Sequence, residues 1–205
     1  KKILHHHHGE PDLMVNPAAF VEKYKKLRRK YIVATPDLLK TMPGSTWQPN
    51  ILPIHDAPFL PRVDHLSSNT CIKIVQAPTR KWHKHTDEFV RVTKKLTDRY
   101  ENVSAHVLTG MSWRDCLAFK RNCNAVFDHM NGWFGISSLE SLSQGIPVLA
   151  GLDEHNVACI KEFTGVSDIP WIVVRDEAQL EHGLVRVIES PDYRTAVGAA
   201  SREFM

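Results

Sequence analysis

The sequence predicts an α/β protein: a Rossmann-like, doubly wound parallel sheet preceded by a small, partial α/β unit. Two patterns carry that expectation. From residue 71 onward, five short apolar segments alternate with amphipathic stretches of helical period, the order in which parallel strands and crossover helices occur. Before residue 54 a shorter strand and helix pattern appears. At 205 residues, 42% hydrophobic and 24% charged, the chain is long enough for one good core with an appendage.

The first unit is expected over 1–53. Ile3-Leu4 leads a strand that ends at His8-Gly9. The chain starts at Lys1 without methionine, and His5 to His8 read as part of a strand entered as a fragment would enter it, rather than as the remnant of a tag. A helix follows over 17–29, then a strand at Tyr31-Ile32-Val33-Ala34. Thr35-Pro36-Asp37 supplies a helix start: a threonine cap, a proline at the first position and an acid in the first turn. Trp47 to Ile51 reads as extended. Pro53, Pro58 and Pro61, then Ser67-Ser68-Asn69, make 54–70 an interdomain linker.

The second domain is expected over 71–205. Its strands are 71–76, 103–108, 125–127, 147–150 and 171–174. Thr86-Asp87-Glu88 caps a helix to about Tyr100, with Phe89, Val90, Thr93, Leu96 and Tyr100 on its buried face. Ser112 caps a second through about Cys123, and Gly135 and Gly145 bound a third. A fourth covers 154–163, Asp176 caps a fifth with Leu180, Leu184, Val187 and Ile188 inward, and a last helix covers 191–204.

Composition removes several functions. A net charge of +3 from 26 basic and 23 acidic side chains gives no nucleic-acid field. No run of about 18 apolar residues spans a membrane, and the N-terminus lacks signal-peptide order. Four cysteines without C-x-x-C spacing read as reduced, packed thiols, which fits a cytoplasmic protein. The histidine tract and His83/His85 bring no ligand set with them, so neither a metal nor another cofactor is expected. Lys23 to Lys30 holds six basic residues in eight. That run reads as a solvated helix face, or as a peripheral docking surface for an anionic membrane.

A doubly wound sheet binds ligands beyond the carboxyl ends of its strands, which directs attention to loops 76–85, 109–113, 128–136 and 150–154. The first carries Arg80, Lys81 and Lys84, which are suited to a diphosphate or simply form a solvated basic loop. The third runs from Asp128 through Gly132-Trp133-Phe134-Gly135 to Glu140. Amides of Gly135, Ile136 and Ser137 would lie at a helix N-terminus, a ready phosphate site. Glu140, further into the helix, suits a pair of ribose hydroxyls. The plainer alternative is a glycine-bounded helix with an outward glutamate. The G-x-x-G spacing lacks the third glycine of the dinucleotide fingerprint.

Gly132-Trp133-Phe134-Gly135 with Leu139-Glu140-Ser141-Leu142-Ser143-Gln144-Gly145-Ile146-Pro147-Val148 resembles the donor-site signature of the family 4-like, retaining GT-B glycosyltransferases. Ala77-Pro78-Thr79-Arg80 with Lys84 resembles their diphosphate-gripping loop, and Thr35-Pro36-Asp37-Leu38-Leu39 with Trp47-Gln48-Pro49-Asn50 the end of their N-terminal domain. The resemblance implies a hexosyltransferase acting on a nucleotide diphosphate sugar and a hydroxyl acceptor, metal-independent, with most of the acceptor domain absent. It gives Glu140 the ribose, and Arg80, Lys84 and the Ile136 and Ser137 amides the diphosphate. His8, in a His-Gly at a strand end, matches a histidine that approaches the donor sugar. Many relatives carry a second glutamate where Gly132 stands, and Asp128 is the candidate substitute. The alternatives are a nucleotide-sugar-binding module without transfer, and a nucleotide-sugar epimerase.

Overall fold

In the computed structural model, which describes residues 3–62, 64–79 and 83–205, the apolar segments form two separate parallel sheets. The chain divides into two units: Lys1–Ile51 with Asp153–Ser167, and Leu52–Leu152 with Asp168–Met205.

The first unit holds strands β1 (Leu4–His7), β2 (Lys30–Val33) and β3 (Thr46–Trp47) in that order. Strand alternation sends His5 and His7 one way and His6 and His8 the other. His5 stacks on Tyr24 with centroids 4.4 Å apart, whereas His6 faces His8 at 4.4 Å. His7 is buried, with Nδ1 against the Glu10 carboxylate and Nε2 3.0 Å from the Tyr24 hydroxyl. The expected helix over 17–29 is α2 (Pro17–Lys26), which Pro17 starts and where Asn16 accepts from the Ala19 amide, and a further short helix, α1 (Pro11–Val15), precedes it. Thr35-Pro36-Asp37 forms a turn, and α3 (Leu38–Thr41) begins only after it.

The second unit holds β4 (Ile72–Gln76), β5 (Val103–Val107), β6 (Ala125–Phe127), β7 (Val148–Ala150) and β8 (Ile172–Val173) in the order β5-β4-β6-β7-β8. Between them run α4 (Thr86–Arg99), α5 (Trp113–Lys120) and α6 (Ile136–Ser143), and α8 (Glu177–Glu189) and α9 (Pro191–Phe204) follow β8. All four pairings are parallel, as the alternation predicts. Phe89 and Phe127 stack at 5.6 Å in a core that also takes Ile74, Leu149 and Leu184. The buried face of α4 uses Val92, while Val90 is 48% exposed. The cap of α4 is His85 in the left-handed region, not Thr86.

Two expectations about boundaries change. The helix after β7, α7 (Glu154–Thr164), groups with the first unit. There Phe163 meets Trp47 at 4.8 Å and Asp153 faces Lys40 at 3.8 Å. Apolar residues in the proline-rich segment give it packing that a linker would lack. Phe59 and Leu66 sit in single 3-10 turns and are fully buried. Arg194, itself 0% exposed, ties this segment down. Its guanidinium donates to Leu66 O (2.9 Å), Ser68 O (2.9 Å) and Asn69 Oδ1 (2.8 Å), and to Val187 O and Ile188 O in the last turn of α8.

Candidate functional site

After β4 the chain moves outward to β5 and then returns to the other side of β4 as β6. The topological switch therefore lies between β4 and β6, the position at which doubly wound sheets carry their ligand crevice. Gln76, the last residue of β4, donates from Nε2 to Lys84 O (2.5 Å) and to Asp128 O (3.3 Å), fastening the loops after β4 and β6 at their roots. Farther out, Asn131 Nδ2 donates to His83 O (2.7 Å), and His85 Nδ1 accepts from the Met130 amide (3.2 Å).

Asp128 follows β6 and is 3% exposed. Its carboxylate accepts from Lys84 Nζ (2.7 Å), the Gly135 amide (2.6 Å) and Ser138 Oγ (2.8 Å). Burial alone would raise its pKa. In the acid range where it would titrate, the charges of protonated His129 and of Lys84, with the hydrogen bonds from Lys84 and Gly135, outweigh burial and hold the group well below the usual carboxylate range. A Cβ at Gly135 would stand 2.9 Å from Lys84 Nζ and 3.1 Å from Asp128 Oδ2, so a side chain there would displace the ammonium from the carboxylate. The Lys84 ammonium also lies 5.2 Å from the centre of the Trp133 ring, within cation–π range.

His129 is 0% exposed, with its ring 4.2 Å from that of Trp133. Nδ1 accepts from the Asn131 amide at 3.2 Å, so the neutral ring carries its proton on Nε2. Burial, aided by Lys84 and His85, pushes its pKa down to about 4 against the pull of Asp128. A histidine whose folded pKa is depressed destabilises the fold as acid protonates the unfolded chain first. The window runs from about 6.5 down to about 4. That gap corresponds to roughly 3 kcal/mol. We expect urea midpoints to fall across this window in the wild type and to fall less in His129→Asn, which keeps an acceptor for the Asn131 amide. Parallel curves would remove the assignment.

Glu140 lies one turn beyond Ile136 on α6 and is 5% exposed. Both carboxylate oxygens have protein partners: Oε1 accepts from Trp113 Nε1 (2.7 Å) and Oε2 from Lys120 Nζ (2.6 Å). Each oxygen retains a second lone pair. Trp113 and Lys120 are the first and last residues of α5, seven apart and therefore on one stripe. Lys120 is 0% exposed and also donates to Ser137 Oγ at 3.1 Å.

The sequence-predicted candidates are distributed as follows. Lys84, Asp128, Gly135, Ile136, Ser137 and Glu140 all lie in the second unit, around the N-terminal end of α6. The Gly135 amide is engaged by Asp128, while those of Ile136 and Ser137 have no acceptor among the described residues. Arg80 and Lys81 fall outside the described residues. His8 lies in the first unit, at the end of β1, where its amide donates to Glu10 Oε2 at 2.9 Å. Gln76, Trp113, Lys120, His129 and Ser138 were not anticipated. The i, i+7 spacing of Trp113 and Lys120 was the available signal for that pair. Among the described residues no group of three His, Cys, Asp or Glu side chains is arranged for a metal ion, and no helix is long and apolar enough to cross a membrane.

No protein-family model matches the chain, and no curated protein matches it. Solved structures do. The C-terminal domain of a glycosyl transferase group 1 family protein (LpcC) from Francisella tularensis aligns with a TM-score of 0.54 and 16% identity, over 71% of this chain and 93% of that one. Sucrose-phosphate synthase from Thermosynechococcus elongatus aligns at 0.64 and 15%, over 98% and 62%. A glycosyltransferase from Rickettsia africae aligns at 0.58 and 12%, over 92% and 62%. The chain thus spans less than two thirds of the length of the last two. Its two parallel sheets and flanking helices have the α/β, Rossmann-like fold of the GT-B glycosyltransferases.

Proposed function

We propose that the second unit binds a nucleotide diphosphate sugar in the crevice between β4 and β6, and that the protein is a hexosyltransferase acting on a hydroxyl acceptor with retention. One observation carries the reading: the two amides of Ile136 and Ser137 without acceptors among the described residues open α6 beside the Lys84 ammonium, with Glu140 one turn further in. A helix N-terminus and a fixed cation suit a diphosphate, and a carboxylate with spare lone pairs suits vicinal hydroxyls.

In this reading the diphosphate oxygen leaves the anomeric carbon as the acceptor oxygen bonds to it, and the acceptor hydroxyl's proton passes to the departing phosphate oxygen. Charge develops on the departing phosphate, where preorganised amides and Lys84 stabilise it without a metal ion. Asp128 acts by position: its carboxylate orients Lys84, Gly135 and Ser138. His8 is the candidate group for the sugar. Gly132, standing where many relatives carry a glutamate, favours a second reading, nucleotide-sugar binding without transfer.

The test is calorimetric titration with UDP, GDP and their hexose conjugates. The wild type and Lys120→Met are expected to bind one nucleotide. Glu140→Ala/Lys120→Met, which lacks the carboxylate and leaves no buried ammonium, is expected to lose at least tenfold in affinity, the loss of about 1.4 kcal/mol. Absence of nucleotide binding by the wild type would refute the proposal. Turnover of a donor then separates transfer from binding alone.

A further inference from the structure

The sheet of the second unit has another opening, at the end opposite the crevice, and Lys73 marks it. β4 is a central strand, with β5 on one side and β6 on the other, and such strands are normally apolar throughout. Ile72, Ile74 and Val75 follow that rule and are fully buried. Lys73 stands among them half-buried, and its ammonium has no hydrogen-bond or ion-pair partner among the described residues. Its backbone is locked: the Lys73 amide donates to Asn124 Oδ1 (2.8 Å), and the Asn124 amide donates to Lys73 O (2.7 Å). Asn124 is 1% exposed and donates from Nδ2 to His65 O (3.2 Å), while His65 Nε2 donates to Cys123 O (2.8 Å). Ser68 is fixed through its carbonyl by Arg194. These contacts hold open a cleft of about 320 Å³, whose lining includes Arg62, Asp64, Ser68, Thr70, Lys73 and Asn122. Small-molecule sites begin at roughly that size, ~300 Å³.

We propose that this cleft binds a small phosphate monoester, with the phosphate held by Lys73 and Arg62. Charge balance carries the choice. A phosphate monoester brings about two negative charges and three acceptor oxygens, and Lys73 and Arg62 supply two positive charges in one cleft. A single carboxylate would leave one of those cations unmatched. Arg62 uses one N–H on Asn122 Oδ1 at 3.3 Å and keeps the rest of its five donors for a ligand. Ser68 Oγ and Thr70 Oγ1 lie 2.9 Å apart, so one hydroxyl proton serves that bond and the other is left to donate to a phosphate oxygen. The Asp64 carboxylate, on the same lining, repels the phosphate and accepts from hydroxyls, which places the alcohol part of the ester on its side. The cleft lies at the amino ends of β4 and β6, whereas the crevice lies at their carboxyl ends. The inference therefore does not rest on the nucleotide-binding reading above.

The experiment follows backbone amide NMR shifts of isotope-labelled protein as glycerol phosphate is added, with glycerate as a carboxylate on a similar frame. Amides of 70–73 and 122–124 report on the cleft, and those of Ile136 and Ser137 on the crevice, so one titration reads the two places separately. We expect saturable shifts in the cleft set, with a dissociation constant below about 1 mM. Lys73→Met and Arg62→Gln should each weaken that binding by roughly tenfold or more, the loss of a charge-assisted hydrogen bond. Lys73→Met should melt no lower than the wild type, because it removes a half-buried charge without leaving a partner unpaired. Absence of saturable shifts at 70–73 and 122–124 would overturn the proposal. Equal affinity in the wild type and both variants would overturn it as well, since the two cations would then not hold the ligand. Glycerate binding as tightly as glycerol phosphate would overturn the assignment to a phosphate. A protein that binds glycerol phosphate in the cleft and no nucleotide would keep this inference and remove the nucleotide reading.

Discussion

Glu140→Ala alone should destabilise the fold by about 3–5 kcal/mol, the usual cost of removing one partner from a buried ion pair. Lys120 is 0% exposed, and its ammonium lies 2.6 Å from Glu140 Oε2. Once the carboxylate is gone, Ser137 Oγ at 3.1 Å and Ser137 O at 3.4 Å are its remaining partners among the described residues, and neither carries a charge. Lys120→Met should cost less than Glu140→Ala. It exposes Glu140 to a similar imbalance, but Glu140 keeps the Trp113 donor and is slightly more accessible. The double variant should recover most of the loss, since a buried pair replaced by apolar groups is often close to neutral. Urea denaturation of the four proteins gives the coupling energy directly. Additive single losses would mean that the pair is not a unit. The same asymmetry is why nucleotide binding must be compared in the double variant: a loss of binding in Glu140→Ala alone confounds unfolding with a missing ligand contact.

Arg194→Met should be comparably severe, again about 3–5 kcal/mol, for a different reason. Among the described residues Arg194 has no acidic partner; its hydrogen-bond acceptors are four backbone carbonyls and the Asn69 side chain. The carbonyls of Val187 and Ile188 belong to the last turn of α8, the negative end of its dipole. A methionine fills much of the volume and satisfies none of these acceptors, each costing about 1–3 kcal/mol if left buried and unpaired. Arg194→Lys keeps the charge but offers three donors in place of a planar fork, so it should recover only part of the loss. Calorimetric melting reads the stability. Amide exchange should rise first over 64–69, which Arg194 fastens to the helices. Uniform protection across that segment in Arg194→Met would contradict the role assigned to it.

The architecture of the second unit was legible because parallel strands announce themselves as short apolar runs, and the intervening helices carry their own start signals. Ser112 and Asp176 cap as the sequence suggests, accepting from the Asp115 and Gln179 amides. Thr86 and Thr35 do not cap. The choice there depends on how the preceding loop enters, and His85 takes a positive φ, held by the Met130 amide, that no local pattern encodes. The proline-rich stretch 54–70 read as a linker because its polar and turn residues outnumber Phe59 and Leu66, although those two decide its packing. At the site, the glycines, Asp128 and Glu140 stood out in one continuous stretch. Trp113 and Lys120 did not, since what makes them matter is a neighbour 20 or 27 positions away on another helix.

The grouping of α7 with the first unit bears on how the protein is made. A ribosome releases Lys1–Ile51 first, but the helix that completes their unit emerges only after the 101 residues of Leu52–Leu152. At about 5–20 residues per second, that is a wait of roughly 5–20 s. Through that interval the first three strands have no α7 to cover Trp47, while β4 to β7 are already available to one another. The second unit must in turn wait for β8, α8 and α9, which follow α7. The two units therefore cannot finish folding one after the other as separate beads. Their completion is interleaved, and residues 153–167 are the segment whose arrival closes the first.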